Sequence, residues 1–127
     1  MKALSIKQPY ADLIAKRIKT LEVRSWRTNY RGPLVIVSSK QPDRLMLKKY
    51  HAEGANNGVT IALVKLVGVR EGRRKDKKAA CVNPSGKYVW ELKMVRKLLP
   101  VPVKGRLGLY DLSGTVLRQC GANKPQT

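Results

Sequence analysis

Arg17-Ile18-Lys19-Thr20-Leu21-Glu22-Val23-Arg24-Ser25-Trp26 alternates in character. Leu21 and Val23 fall on one side, and Thr20, Glu22 and Arg24 on the other, which is the two-residue period of a half-buried strand. Glu22 and Arg24 then share a face, roughly 7 Å apart along the strand. Lys19 stands where a preceding helix ends, and the Trp26 indole follows. A lysine, a carboxylate and a guanidinium thus converge at one helix–strand junction. The same pattern also suits an exposed strand face with ordinary ion pairs, so it has to be weighed with the rest of the chain.

The charge balance is the strongest compositional fact. Lys plus Arg number 27 against 8 Asp plus Glu, a net +19 in 127 residues. Such a surface repels itself and suits a polyanionic partner, nucleic acid first. An anionic membrane surface is a weaker fit, because no long basic amphipathic helix is evident. A thermophilic surface raises Glu together with Lys, and acids are scarce here. No obligate protein partner is evident. The length suits one domain with its own core, and 43% hydrophobic content is globular rather than disordered. No apolar run approaches a membrane span, and Met1 to Ser5 opens directly into structure, so no signal peptide is expected. Cys81 and Cys120 lack CxxC spacing, and the single histidine, His51, provides no metal set. The expectation is free thiols in a reducing cytoplasm, with no metal and no cofactor.

In chain order, Lys2 to Ile6 reads as a strand, and Pro9 opens a helix from Tyr10 to Arg17, with Lys16 and Arg17 favouring its C-terminal dipole. Lys7, Gln8 and the free amides after Pro9 form a candidate phosphate site. The strand Thr20 to Trp26 leads into a loop through Pro33, where Arg27, Tyr30 and Arg31 accompany Trp26. Guanidinium groups hold phosphate while rings stack bases; Trp26 and Tyr30 equally suit core packing. Leu34 to Val37 is a continuous apolar run, a central strand buried on both faces. A second helix is expected from Asp43 to Glu53, with His51 in its last turn as a capping or surface residue.

Val59 to Arg70 is the longest strand, and Gly68 within it suggests a bulge or a close backbone approach. Glu71 to Lys78 holds no apolar residue and reads as a solvated loop; Arg73, Arg74, Lys75, Lys77 and Lys78 are candidate phosphate contacts. Tyr88 to Leu98 alternates as a strand with Tyr88, Trp90, Leu92 and Met94 on one face. Val103 to Gly108 is a basic turn, and Leu109 to Leu112 a last short strand. Residues 1–112 thus form one domain, and 113–127 a loosely held tail. About six short strands with two early helices give an α+β chain with a small curved or closed sheet, not a doubly wound one.

Several stretches together resemble one family. Ala3-Leu4-Ser5-Ile6-Lys7-Gln8-Pro9-Tyr10-Ala11, Lys19-Thr20-Leu21-Glu22-Val23-Arg24-Ser25-Trp26, Tyr30-Arg31-Gly32-Pro33-Leu34, Tyr88-Val89-Trp90-Glu91-Leu92 and Pro102-Val103-Lys104-Gly105 are similar, in the same order, to the ASCH (activating signal cointegrator homology) family. The resemblance implies a PUA-like fold: a small mixed β-barrel with two flanking helices and a cleft beside the first helix. Lys19, Glu22 and Arg24 match the family signature G-x-K-x-x-E-x-R. Arg17 stands where the signature has glycine, which Arg does not readily replace at positive φ.

The resemblance also implies function. Family members are described mostly as RNA-binding, some as DNA-binding, and ribonuclease activity is ascribed to some. A small bacterial relative is an amidohydrolase on acetylated cytidine, with the signature lysine as nucleophile beside a threonine and a distant glutamate. Lys19 matches that lysine. Glu22 occupies the threonine's position, so the triad is not carried over intact, and Glu91 is merely a carboxylate near the region of the glutamate. The expectation is a nucleic-acid-binding module, RNA preferred and DNA possible. Lys19, Glu22, Arg24 and Trp26 would meet the base, and Lys7, Gln8, Arg17, Arg27, Tyr30, Arg31 and the Arg73–Lys78 loop the backbone. The alternative is a hydrolase of the same fold, acting on acylated cytidine through Lys19 or as a metal-independent ribonuclease using Lys19 and Glu22.

Overall fold

The computed structural model describes residues 1–125. Its strands are β1 (Lys2–Ile6), β2 (Leu21–Arg24), β3 (Gly32–Ser38), β4 (Thr60–Glu71), β5 (Tyr88–Lys97) and β6 (Leu109–Asp111). They form one mixed sheet in the order β2-β5-β4-β3-β1-β6. Only β1 and β3 run parallel, and the sheet curls into a small half-barrel. Among the described residues the helices are α1 (Tyr10–Ala15), α2 (Arg44–Lys49), α3 (Lys77–Ala80) and α4 (Gly114–Cys120).

β3 behaves as its apolar run predicts. Leu34 and Ile36 enter one core cluster, Val35 and Val37 the other, and all four are fully buried. The first cluster joins Leu4, Ile6, Val64, Leu66, Trp90 and Leu92 under α1, through Ala11 and Ile14. The second joins Ala3, Leu63 and Tyr110 to Cys120 and Ala122. The segment expected as a loose tail therefore contributes a helix to the second face. Ser113 caps α4 by accepting from the Val116 N–H at 3.2 Å, and Arg96 binds the carbonyls of Gly121, Ala122 and Lys124. Sparse apolar residues hid this, because Cys120 and Ala122 are small. Residues 126 and 127 of that tail lie outside the described residues.

In β4 the strand alternation changes phase at Gly68. The pairing with β5 shifts between Leu66 and Gly68, so Val64, Leu66 and Val69 all face the first core while Val67 is exposed. A Cβ at residue 68 would collide with the Glu91 carboxylate. Both expectations for this glycine, a bulge and a close approach, hold together.

Both early helices are shorter than expected. α2 ends at Lys49, capped at its start by Asp43, whose carboxylate accepts from the Met46 N–H at 3.1 Å. His51 lies beyond the helix with φ 53° rather than in its last turn. α1 ends at Ala15, leaving Lys16 and Arg17 outside its last turn. The Ile18 N–H bonds to the Leu13 carbonyl at 3.0 Å and the Arg17 N–H to the Ile14 carbonyl at 3.0 Å. This is a Schellman stop, which demands a left-handed residue. Arg17 supplies it with φ 62°. The turn that glycine favours is thus kept, at the cost of an unfavourable conformation for a residue with a Cβ.

The 71–78 segment is more ordered than its composition suggests. Arg74–Asp76 forms a 3-10 turn that runs into α3. Asp76 pins it: its carboxylate accepts from Arg70 Nη1 and Nη2 at 2.8 and 2.9 Å and from the Arg73 N–H at 2.9 Å. These bonds, the Arg70 pair foremost, hold its pKa down to about 2.

Two predictions follow from these anchors. Arg17→Gly relieves the left-handed strain and loses part of that gain to chain entropy. The expected net is about 0.5–1 kcal/mol of added stability, a rise of a few degrees in Tm by thermal melt; a fall in Tm would contradict it. The Asp76 carboxyl titrates lower folded than unfolded. Its contribution is therefore complete above the unfolded value and fades as pH drops from about 4 toward 2. Asp76→Asn should lower Tm at neutral pH and flatten that acid limb in melts followed by circular dichroism.

Candidate functional site

At the junction of α1 and β2 the Schellman stop delivers Lys19 into the interior, 3% exposed. Its Nζ donates to the Ala80 carbonyl at 2.5 Å and lies 3.5 Å from Glu22 Oε1. It also sits 5.2 Å from the centre of the Tyr10 ring, within cation–π range. The other Glu22 oxygen, Oε2, accepts from Arg24 Nε at 3.1 Å and Nη2 at 2.9 Å. Arg24 Nη2 donates further to the Ser5 carbonyl at 2.7 Å. The result is a continuous polar chain from α3 through β2 to β1. Burial pushes the Lys19 pKa below its ordinary value, while the charge of Glu22 opposes that shift.

This chain forms the floor of a cleft of about 1490 Å³. Lys7, Lys19, Glu22, Arg24 and Trp26, of the residues singled out from sequence, line it together. Trp26 is half-buried and forms a T-shaped pair with Trp90, ring centres 4.8 Å apart and planes at 85°. The Trp26 carbonyl also accepts from Trp90 Nε1 at 3.3 Å. One face of the structure thus gathers the signature side chains, an aromatic ring and an exposed lysine.

The remaining candidates lie elsewhere. Gln8 is fully buried as an internal brace: its amide donates to Asp12 Oδ1 at 2.8 Å and the Asn56 carbonyl at 2.9 Å, and accepts from the Asp12 N–H at 3.0 Å. Arg17 borders a separate depression with Ile14, Thr20 and Met94. The Arg27 guanidinium lies 5.4 Å from the centre of the Tyr88 ring. Tyr30 and Arg31 fold back on their own loop, the phenol donating to the Pro33 carbonyl and the guanidinium to the carbonyls of Thr28 and Tyr30 at 2.8 Å each. Arg73, Arg74, Lys75, Lys77 and Lys78 are exposed around the 3-10 turn and α3, outside the cleft lining. Their segment still serves the site, because α3 places the Ala80 carbonyl on Lys19.

Other lining residues were not singled out. Lys40, Lys87, Lys104 and Arg106 add cations to the rim, and Ser5, Tyr10 and Asn83 add polar and aromatic groups. The basic turn at Val103–Gly108 was visible in sequence, but nothing in chain order says that it folds back beside β1. Gly105 permits that approach, since a Cβ there would lie 2.9 Å from Ser5 Oγ. Among the described residues no group of three or more His, Cys, Asp or Glu could hold a metal ion. Likewise no helix among them is long and apolar enough to cross a membrane.

Comparison with known proteins agrees with this architecture. The family model described as ASCH domain matches residues 4–102. The crystal structure of ASCH from Zymomonas mobilis is similar at a TM-score of 0.67 and 12% identity, covering 98% of this chain and 96% of that one. Two single-substitution variants of the Zymomonas mobilis protein are similar at TM-scores of 0.63 and 0.65, each 11% identical. The first covers 96% of both chains; the second covers 95% of this chain and 94% of its own. At such identities these structures speak for the fold alone. No curated protein sequence matches. With most of its length matched by the family model and the signature lysine, glutamate and arginine joined at the cleft floor, the chain belongs to the ASCH domain family.

Proposed function

We propose that this chain is an RNA-binding module that lays the backbone of its ligand across the cleft rim. Lys7, Lys40, Lys87, Lys104 and Arg106 hold phosphates, while a base rests against Trp26 above the Lys19–Glu22–Arg24 floor. The observation that carries this reading is the sign of the cleft. Its lining includes one carboxylate, Glu22, and that group is bound on both oxygens by cations. A polyanion entering there meets uncompensated positive charge. RNA is favoured over DNA because so small a barrel offers no helix to fill a major groove, whereas unstacked RNA bases are read by aromatic stacking and edge contacts.

The salt dependence of binding tests this directly. With about five phosphate contacts, one for each of these cations, affinity for single-stranded RNA should fall with a log–log slope near −3.5, since each contact contributes about −0.7. Replacing Lys104 and Arg106 together by alanine should weaken binding and make that slope shallower by about 1.4. Fluorescence anisotropy across salt concentrations reads both. An affinity that barely changes with salt contradicts the proposal.

A second reading, a hydrolase acting on acylated cytidine or on RNA, draws support from the lowered Lys19 pKa. A depressed pKa is what an amine nucleophile needs. Against it, the groups in contact with Lys19 Nζ, a carbonyl, a carboxylate and a ring face, bind the ammonium, and the Arg24 charge that opposes it is itself paired with Glu22. The expected outcome is that wild type turns over neither N4-acetylcytidine nor RNA, and that Lys19→Ala weakens RNA binding and lowers Tm. Turnover by wild type that Lys19→Ala abolishes while RNA binding persists would reverse the assignment.

A further inference from the structure

We propose that the Lys104–Gly108 loop is a wedge that drives Leu107 into the base stack of a double-helical RNA segment while the displaced nucleotide occupies the cleft. This rests on the RNA-binding reading and specifies how the ligand enters. Leu107 is 98% exposed, more than any other large hydrophobic side chain among the described residues. Single exposed apolar residues are ordinary on a protein surface. This one stands on the cleft rim with Arg106 beside it and Lys104 three residues before it, all three lining the opening. An apolar tip set among cations suits insertion between bases with phosphates on either side.

The loop is built to hold that tip in place. Pro102 pairs with Val59, and the Val103 N–H bonds to the Gly58 carbonyl at 2.9 Å. Gly105 lies against Ser5 of β1, so the backbone rests on the sheet that forms the cleft floor. Beyond Gly108 the chain is locked again into β6. Both flanks are anchored, and Leu107 projects between them with the exposed Lys104 and Arg106.

The cleft matches the other half of the exchange. Its volume of about 1490 Å³ exceeds the roughly 300–1,000 Å³ of small-molecule pockets, which fits a nucleotide still joined to its neighbours. The Trp26 ring, packed against Trp90, lines the cleft where an extruded base would stack. In A-form RNA the minor groove is wide and shallow, and a short loop reaches it. Extrusion leaves a gap in the stack, and an inserted side chain fills it.

The test uses the full chain with short RNA duplexes that carry an end-placed fluorescein for anisotropy and 2-aminopurine at successive internal positions. Wild type should raise 2-aminopurine emission several-fold at one or more positions. Leu107→Ala should bind single-stranded RNA as wild type does, lose most of that emission rise, and regain duplex affinity when an abasic site replaces the responding nucleotide. Leu107→Met should restore the rise. Emission that stays flat for wild type in every bound duplex overturns the wedge, as does an equal rise with Leu107→Ala. If single-stranded RNA binds but duplexes never do, the wedge falls and the binding module stands. If neither RNA changes the anisotropy at low salt, both fall.

Discussion

Glu22 is the constraint on which the rest of the site depends. A buried carboxylate is costly to desolvate, and two cations with good geometry are needed to compensate it. Lys19 and Arg24 meet that need from opposite sides, and each then reaches a backbone carbonyl on another element, Ala80 before the turn out of α3 and Ser5 in β1. The helix stop, the edge strand and the far loop are thereby fixed to one carboxylate. Removing Glu22 would leave the buried Lys19 without its counter-charge and the partly exposed Arg24 without its bidentate partner, a loss of up to about 3–5 kcal/mol by analogy with other broken buried pairs. Its role is to hold the cleft floor in shape, and the two cations that bind it keep that floor from being acidic.

The same demand explains the local backbone. Lys19 can reach the interior only if α1 stops abruptly at Ala15 and the chain reverses through a left-handed residue. Glycine would do this without strain. This chain does it with Arg17, whose side chain points to a separate depression and not to the cleft. The signature lysine therefore depends on a residue two positions earlier for its direction, and tolerates arginine there because the two hydrogen bonds of the stop fix the backbone regardless.

What could be read from sequence and what could not divide along physical lines. β3 was legible because a continuous apolar run marks a strand buried on both faces, β5 because Trp90 and Leu92 alternate with Glu91 and Lys93, and β2 because Leu21 and Val23 alternate with Glu22 and Arg24. The convergence of Lys19, Glu22 and Arg24 was legible because all three lie within one turn and one strand. The phase change in β4 was only half legible: Gly68 marked it, but its cause is Glu91, a residue on another strand. Gln8, Arg27, Tyr30 and Arg31 looked like ligand contacts because their chemistry is right; their partners, from Asn56 to Tyr88 and nearby carbonyls, are set by tertiary structure or by loop geometry. The helical tail was illegible because its core contribution comes from small residues and from Arg96, which lies in a strand.

The charge balance becomes interpretable once each acid is located. Of the eight acidic residues, six have structural partners. Asp12 takes Gln8, Glu22 takes Lys19 and Arg24, and Asp43 caps α2. Asp76 and Glu91 share Arg70, and Asp111 meets Lys2. Most of the acids thus serve the fold, and engage only a handful of the 27 cations. A few of the surplus cations serve the fold through carbonyls, as Arg96 does on the C-terminal turn; mutual repulsion makes the rest a burden on the folded state. A surface that carries such a burden while a cluster of those cations rims a cleft with a neutralised floor is consistent with a ligand that brings its own negative charge, and a phosphate backbone does so at every residue.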